Sequence, residues 1–163
     1  MHSMRRAAII VLVVSGFALG MSVADLWAQA GDPRSGTWKL NVSKSKFDPG
    51  PPLQSVIVKV EPAGNGEKVV NEVVGPDGKP TKTGYTADFD GKDVPLTGST
   101  TADTTSIKRI DAHTTDRTDK KDGKVVMTLR RVVAADGKTM TITTKGTTAD
   151  GKPSNNVLVF EKQ

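Results

Sequence analysis

The side chains able to do chemistry are few, and most lie between Thr104 and Arg131. Arg109, His113, Arg117 and Arg131 fall in that stretch, with Asp111 and Asp116 among them. Guanidinium groups bind carboxylates and phosphates through paired N–H bonds, so these arginines, if turned inward, would form a polar wall for the headgroup of a small molecule. Catalysis would have to begin at His113, the only histidine besides His2. No Gly-x-Ser-x-Gly elbow accompanies it. One histidine cannot make a multi-histidine metal site. The absence of cysteine excludes disulfides, thiol chemistry and cysteine-held zinc or iron–sulfur clusters. Asp116, Asp119 and Asp122 do not follow a calcium-loop spacing. No glycine-rich loop opens a helix to cradle a phosphate. No cofactor and no metal are expected.

The elements that must position these residues follow a leader. Arg5 and Arg6 precede an apolar run from Ala7 to about Ala24, which ends at the small-residue site Ala28-Gln29-Ala30. A basic start, an apolar centre and an A-x-A site make residues 1–30 a secretory signal peptide. Its removal leaves residues 31–163 as one domain with no stable membrane span. The net charge falls from +5 to +4, because Arg5, Arg6 and Asp25 leave with the leader. An exported domain without cysteine points to a bacterial protein, periplasmic or extracellular. Lysines interleaved with Asp and Thr, and few aromatic rings for base stacking, argue against nucleic acid as a partner.

Turns punctuate the domain. Asp-Gly-Lys recurs at Asp77, Asp90, Asp122, Asp136 and Asp150, and Gly64-Asn65-Gly66 is a sixth turn. An Asp-Gly pair suits a type I′ hairpin turn, which needs positive φ at both central residues. Between the turns, Val, Ile and Thr alternate with period two, and no stretch has a helical period. About ten strands are predicted: 36–41, 54–61, 68–75, 81–89, 92–96, 104–110, 112–120, 124–134, 138–146 and 154–162. The proline-rich stretch within 43–53 is a loop. Val56, Val58 and Val60 share a face, as do Tyr85, Ala87 and Phe89, and Met140, Ile142 and Thr144. The fold class is therefore all-β, an antiparallel up-and-down meander of about 8–10 strands. It must close as a barrel or, alternatively, fold over as a β-sandwich, because an open sheet leaves adhesive edges.

Gly36-Thr37-Trp38 places a Gly-x-Trp at the start of the first strand. This resembles the opening of lipocalins and other calycin-like barrels. More closely, the chain resembles secreted bacterial lipocalin-like proteins of unsettled function. That likeness runs through Gly36–Asn41, Lys44–Phe47, Arg130–Val133 and Asp136–Thr141. It implies a barrel whose Trp38 seals one end, with an arginine against it, Arg130 or Arg131, and Arg131 the better placed. Segment 43–53 is too short for the two helices that the fatty-acid-binding relatives insert after their first strand.

The interior decides the function. Trp38, Phe47, Tyr85, Phe89 and Phe160 are the only aromatics beyond residue 30, and most other apolar positions are Val. Small side chains fill a ten-stranded barrel poorly, so a cavity is expected, or a flattened sandwich. Trp38, Tyr85, Phe89, Met140, Ile142 and Phe160 are the candidate apolar lining, with Arg109, His113, Arg117 and Arg131 as polar lining. The alternative for the polar hairpin 104–120 is an exposed edge guarded by charge, and that is the expectation, since polar strands are more commonly solvated. The reading is an exported, non-catalytic barrel that binds a small apolar or amphipathic ligand. Alternatives are a structural or interaction module of the bacterial envelope and a barrel enzyme of unknown reaction.

Overall fold

The computed structural model describes residues 31–148 and 150–163. The leader reading, residues 1–30, lies outside the described residues. The described residues form ten strands: β1 (Gly36–Leu40), β2 (Ser55–Ala63), β3 (Gly66–Val74), β4 (Pro80–Asp88), β5 (Val94–Pro95), β6 (Thr104–Arg109), β7 (Thr114–Lys121), β8 (Lys124–Val133), β9 (Thr139–Thr147) and β10 (Pro153–Lys162). A 3-10 turn, Val42–Lys44, follows β1.

All ten strands join one antiparallel sheet in the order β4-β3-β2-β1-β10-β9-β8-β7-β6-β5. The two end strands meet. Gly84 and Thr97 exchange two backbone hydrogen bonds, N to O, of 3.0 and 2.9 Å. The sheet therefore closes as a barrel rather than a sandwich, and its edges meet at one narrow seam. The seam is narrow because β5 has only two residues.

Four of the five Asp-Gly-Lys turns differ from the type I′ expectation. Only Asp122-Gly123 has positive φ at both residues, 49° and 74°. At Asp77, Asp90, Asp136 and Asp150 only the glycine is left-handed. In the turns at Asp77, Asp90 and Asp136 the Asp side chain accepts the backbone N–H of the following lysine, at 2.9–3.1 Å. A short carboxylate that folds back onto its own turn favours a type I turn followed by a left-handed glycine.

The core lies inside the barrel. Register puts Leu40, Phe160, Met140 and Val133 in one row across β1, β10, β9 and β8. Phe160, Met140 and Val133 are at most 2% exposed. Val56, Val58 and Val60 face inward from β2, as alternation predicts. The hairpin β6–β7 is not the solvated edge that its polarity suggested. β7 is paired on both sides, and Thr105, Ile107, Thr115 and Asp119 are buried. Its inward polar groups are buried because Thr105, Arg117 and Asp119 bond to one another and Thr115 accepts from Arg131 on β8. Among the described residues no helix is long and apolar enough to cross a membrane.

Candidate functional site

A layer of paired charges crosses the middle of the barrel. Arg131 on β8 reaches Glu67 on β3, its Nη2 donating to both carboxylate oxygens at 2.7 and 2.6 Å. Arg131 Nε donates to Thr115 Oγ1 at 3.0 Å, and the Tyr85 hydroxyl donates to Glu67 Oε1 at 3.0 Å. Beside this, Arg117 and Asp119 form a parallel fork, Nε to Oδ1 at 2.7 Å and Nη2 to Oδ2 at 2.8 Å. Thr105 Oγ1 donates to the same Asp119 Oδ1 at 2.7 Å. The Arg117 guanidinium lies 4.9 Å from the centre of the Tyr85 ring. Each buried charge thus has an opposite partner and further hydrogen bonds, as burial demands. Burial, reinforced by the Glu67 charge, holds the Tyr85 hydroxyl well above the ordinary phenol range.

Alternation places these groups. Ile107, Arg117 and Leu129 stand side by side on β6, β7 and β8, and Thr115, Arg131 and Ile142 on β7, β8 and β9. Above the charged layer is a cup of about 30 Å³, walled by Val58, Val69, Asn71, Ile107, Leu129 and Ile142 over Tyr85, Thr115, Arg117 and Arg131. Asn71, Leu129, Ile142 and Leu158 point inward from mid-strand yet are only half-buried. Water therefore reaches the barrel interior at this end. Two wider grooves, of about 430 and 360 Å³, lie on the outer faces of β7–β9 and β2–β4.

The opposite end is sealed. Trp38 is fully buried and its Nε1 donates to the Arg34 carbonyl at 2.8 Å. The cation over its ring is Lys162, with Nζ 5.1 Å from the centroid. This corrects the expectation that Arg131 covers Trp38: the Glu67 carboxylate draws Arg131 into the middle layer. Asp32 binds Arg34 through Nε at 2.8 Å and Nη2, and Arg109 through Nη2 at 2.9 Å. Both guanidinium groups lie against Phe89, at 4.5 and 4.4 Å. Burial acts to raise the Asp32 carboxyl, and the Arg34 hydrogen bonds and charge outweigh it, so it sits below its ordinary value.

The candidate residues thus divide. Tyr85, Arg117, Arg131 and Ile142 line the cup. Trp38, Met140 and Phe160 are packed in the core. Phe89 and Arg109 belong to the sealed end, where Arg109 is 45% exposed. His113 sits in the turn between β6 and β7, where its carbonyl accepts from Val133 N at 3.0 Å. Its Nδ1 is buried without a hydrogen-bond partner. Sequence reasoning did not single out Glu67 and weighed Asp119 only against a calcium-loop spacing, although alternation marks both: Glu67 is in phase with Val69, and Asp119 with Thr115 and Arg117. Of the other cup wall residues, Val58 was placed on a shared face with Val56 and Val60, while Val69 and Asn71 were in phase on β3 but not singled out.

Among the described residues no group of three or more His, Asp or Glu could hold a metal ion. No protein-family profile and no curated protein matches the chain. Among solved structures, the chain is similar to an ileal bile acid-binding protein of zebrafish, crystallised with cholic acid. That similarity has a TM-score of 0.49 and 11% sequence identity, and it covers 80% of this chain and 99% of that one.

Proposed function

We propose that this protein is exported and binds a small apolar or amphipathic molecule, without chemical conversion, at the open end of its barrel. One observation carries the reading: inward-facing Asn71, Leu129, Ile142 and Leu158 remain half-buried in mid-strand. A barrel that served only as a scaffold would bury such residues against one another. The cup is far smaller than the roughly 300–1,000 Å³ of sites that enclose a whole ligand. About 30 Å³ accepts roughly two water-sized groups. The ligand therefore enters by one end and leaves the rest at the mouth, against the half-buried Val73 and Leu158. Export rests on the leader sequence at residues 1–30. Native mass spectrometry of protein purified from its host is the test. A bound small molecule, released on unfolding, supports the reading, and bare protein at every preparation contradicts it.

A second reading, an interaction module of the envelope, is favoured by the filled middle of the barrel. Glu67, Arg117, Asp119 and Arg131 occupy the space that a larger ligand would need. It predicts bare protein in the same spectra and a macromolecular partner recovered from envelope extracts.

A further inference from the structure

The cup has arginines at its floor, and such a floor ordinarily suggests an acidic ligand. Here the geometry points the other way. Arg117 gives two of its nitrogens to Asp119, and Arg131 gives Nη2 to both oxygens of Glu67. Each positive charge is already cancelled by a buried carboxylate, from the same strand for Arg117 and from across the barrel for Arg131. Side-chain exposure is 9% for Arg131 and 3% for Glu67, and 16% for Arg117 and 8% for Asp119. Water therefore does little to screen either pair. No lysine is among the residues that line the cup. Asp32, at the sealed end, also feels the charge of Arg131 and is itself matched by Arg34 and Arg109. Lys162 is engaged at that same end, with Pro33 O and the Trp38 ring.

An anionic headgroup entering this cup would lose its hydration and find no uncompensated positive charge. It would also stand close to two fixed carboxylates. A desolvated, unpaired charge is the costliest group to bury. A neutral headgroup meets no such barrier. Its oxygen accepts from a guanidinium N–H left over from the ion pairs, and its chain leaves past Leu129 and Ile142 to the mouth at Val73 and Leu158.

We propose that the cup selects neutral amphipathic molecules, such as alcohols, ketones or esters, and rejects carboxylates of the same chain length. This rests on the binding reading above and gives it a ligand class. Glu67 and Asp119 are then specificity residues, since they neutralise arginines that would otherwise recruit acids.

The test is displacement of the neutral fluorophore N-phenyl-1-naphthylamine by decanol and by decanoate, at about pH 8, where the acid is ionised. The expected result is that decanol displaces the probe at a concentration roughly tenfold lower or more, since an uncompensated charge costs at least that factor. Decanoate displacing as well as decanol, or better, overturns the neutral-ligand proposal and leaves the binding reading standing. Failure of the probe and of both compounds to bind overturns the two together. Glu67→Gln keeps the oxygen that accepts from Tyr85 and frees the charge of Arg131, so it should shift the preference toward decanoate. Asp119→Asn should do the same through Arg117, and it serves if Glu67→Gln does not fold. An unchanged preference in a folded variant of either kind contradicts the assigned role of these carboxylates. The comparison of the two compounds on the unaltered protein depends on neither variant.

Discussion

Single residues set the character of the barrel interior. Tyr85 is the only tyrosine in the chain, so its ionisation can be followed alone by phenolate absorbance. Burial, with the Glu67 charge beside it, raises its folded-state pKa above the ordinary value of 10.0. A raised pKa means that the neutral phenol is favoured by folding. Tyr85 therefore adds stability that is complete below about pH 10 and is lost as pH rises toward the folded value. We expect no phenolate signal at about pH 10–11 in the native protein, and its appearance only together with alkaline unfolding. A normal titration curve with the circular dichroism unchanged would show that the hydroxyl is not held as described. Glu67 is the second residue to probe. Glu67→Ala removes the partner of a buried Arg131 and should lower stability in urea unfolding by about 3–5 kcal/mol. A loss comparable to that of a surface substitution would mean that Arg131 finds water or another acceptor.

Elements carry these residues, and most of them were legible. Period-two runs of Val, Ile and Thr between Asp-Gly turns placed all ten strands, and the alternation in β2, β4 and β9 assigned their inward faces correctly. The turn types were less legible, because an Asp side chain can bond its own loop in ways that the dipeptide alone does not specify. The polarity of β6–β7 misled for a physical reason. A polar strand looks solvated until its partners are known, and Arg131 and Glu67 are 64 positions apart in sequence. The seam between β4 and β5 is the element with least support, two backbone bonds at Gly84 and Thr97. Gly98 beside it has φ of 73°, and a Cβ there would stand 2.0 Å from the Lys82 carbonyl. Gly98→Ala combines left-handed strain, about 1–3 kcal/mol, with that clash. Hydrogen exchange should therefore quicken at Gly84 and Thr97 while the β9–β10 amides remain protected. Uniform protection across the seam would show that β4 and β5 are held by something other than these bonds.

At the scale of the whole molecule, the barrel has two unlike ends. One is sealed by Trp38, Phe160, Met140 and the Asp32–Arg34–Arg109 cluster. The other admits water to an apolar-walled cup over a layer of cancelled charge. The low aromatic content gave reason to expect open space, and long Arg and Glu side chains fill much of it instead. The leader reading belongs to this scale too. Intact-mass measurement of the protein purified from its host should give a chain that begins at Gly31, and a mass that includes residues 1–30 would contradict cleavage at Ala30. Ligand entry at the open end is the central claim, and amide chemical-shift mapping during a decanol titration tests it most directly. Shifts should saturate and gather on Val58, Asn71, Ile107, Thr115, Leu129 and Ile142. Shifts that never saturate, or that fall only on the outer grooves around Thr143 and Glu72, would contradict binding inside the barrel.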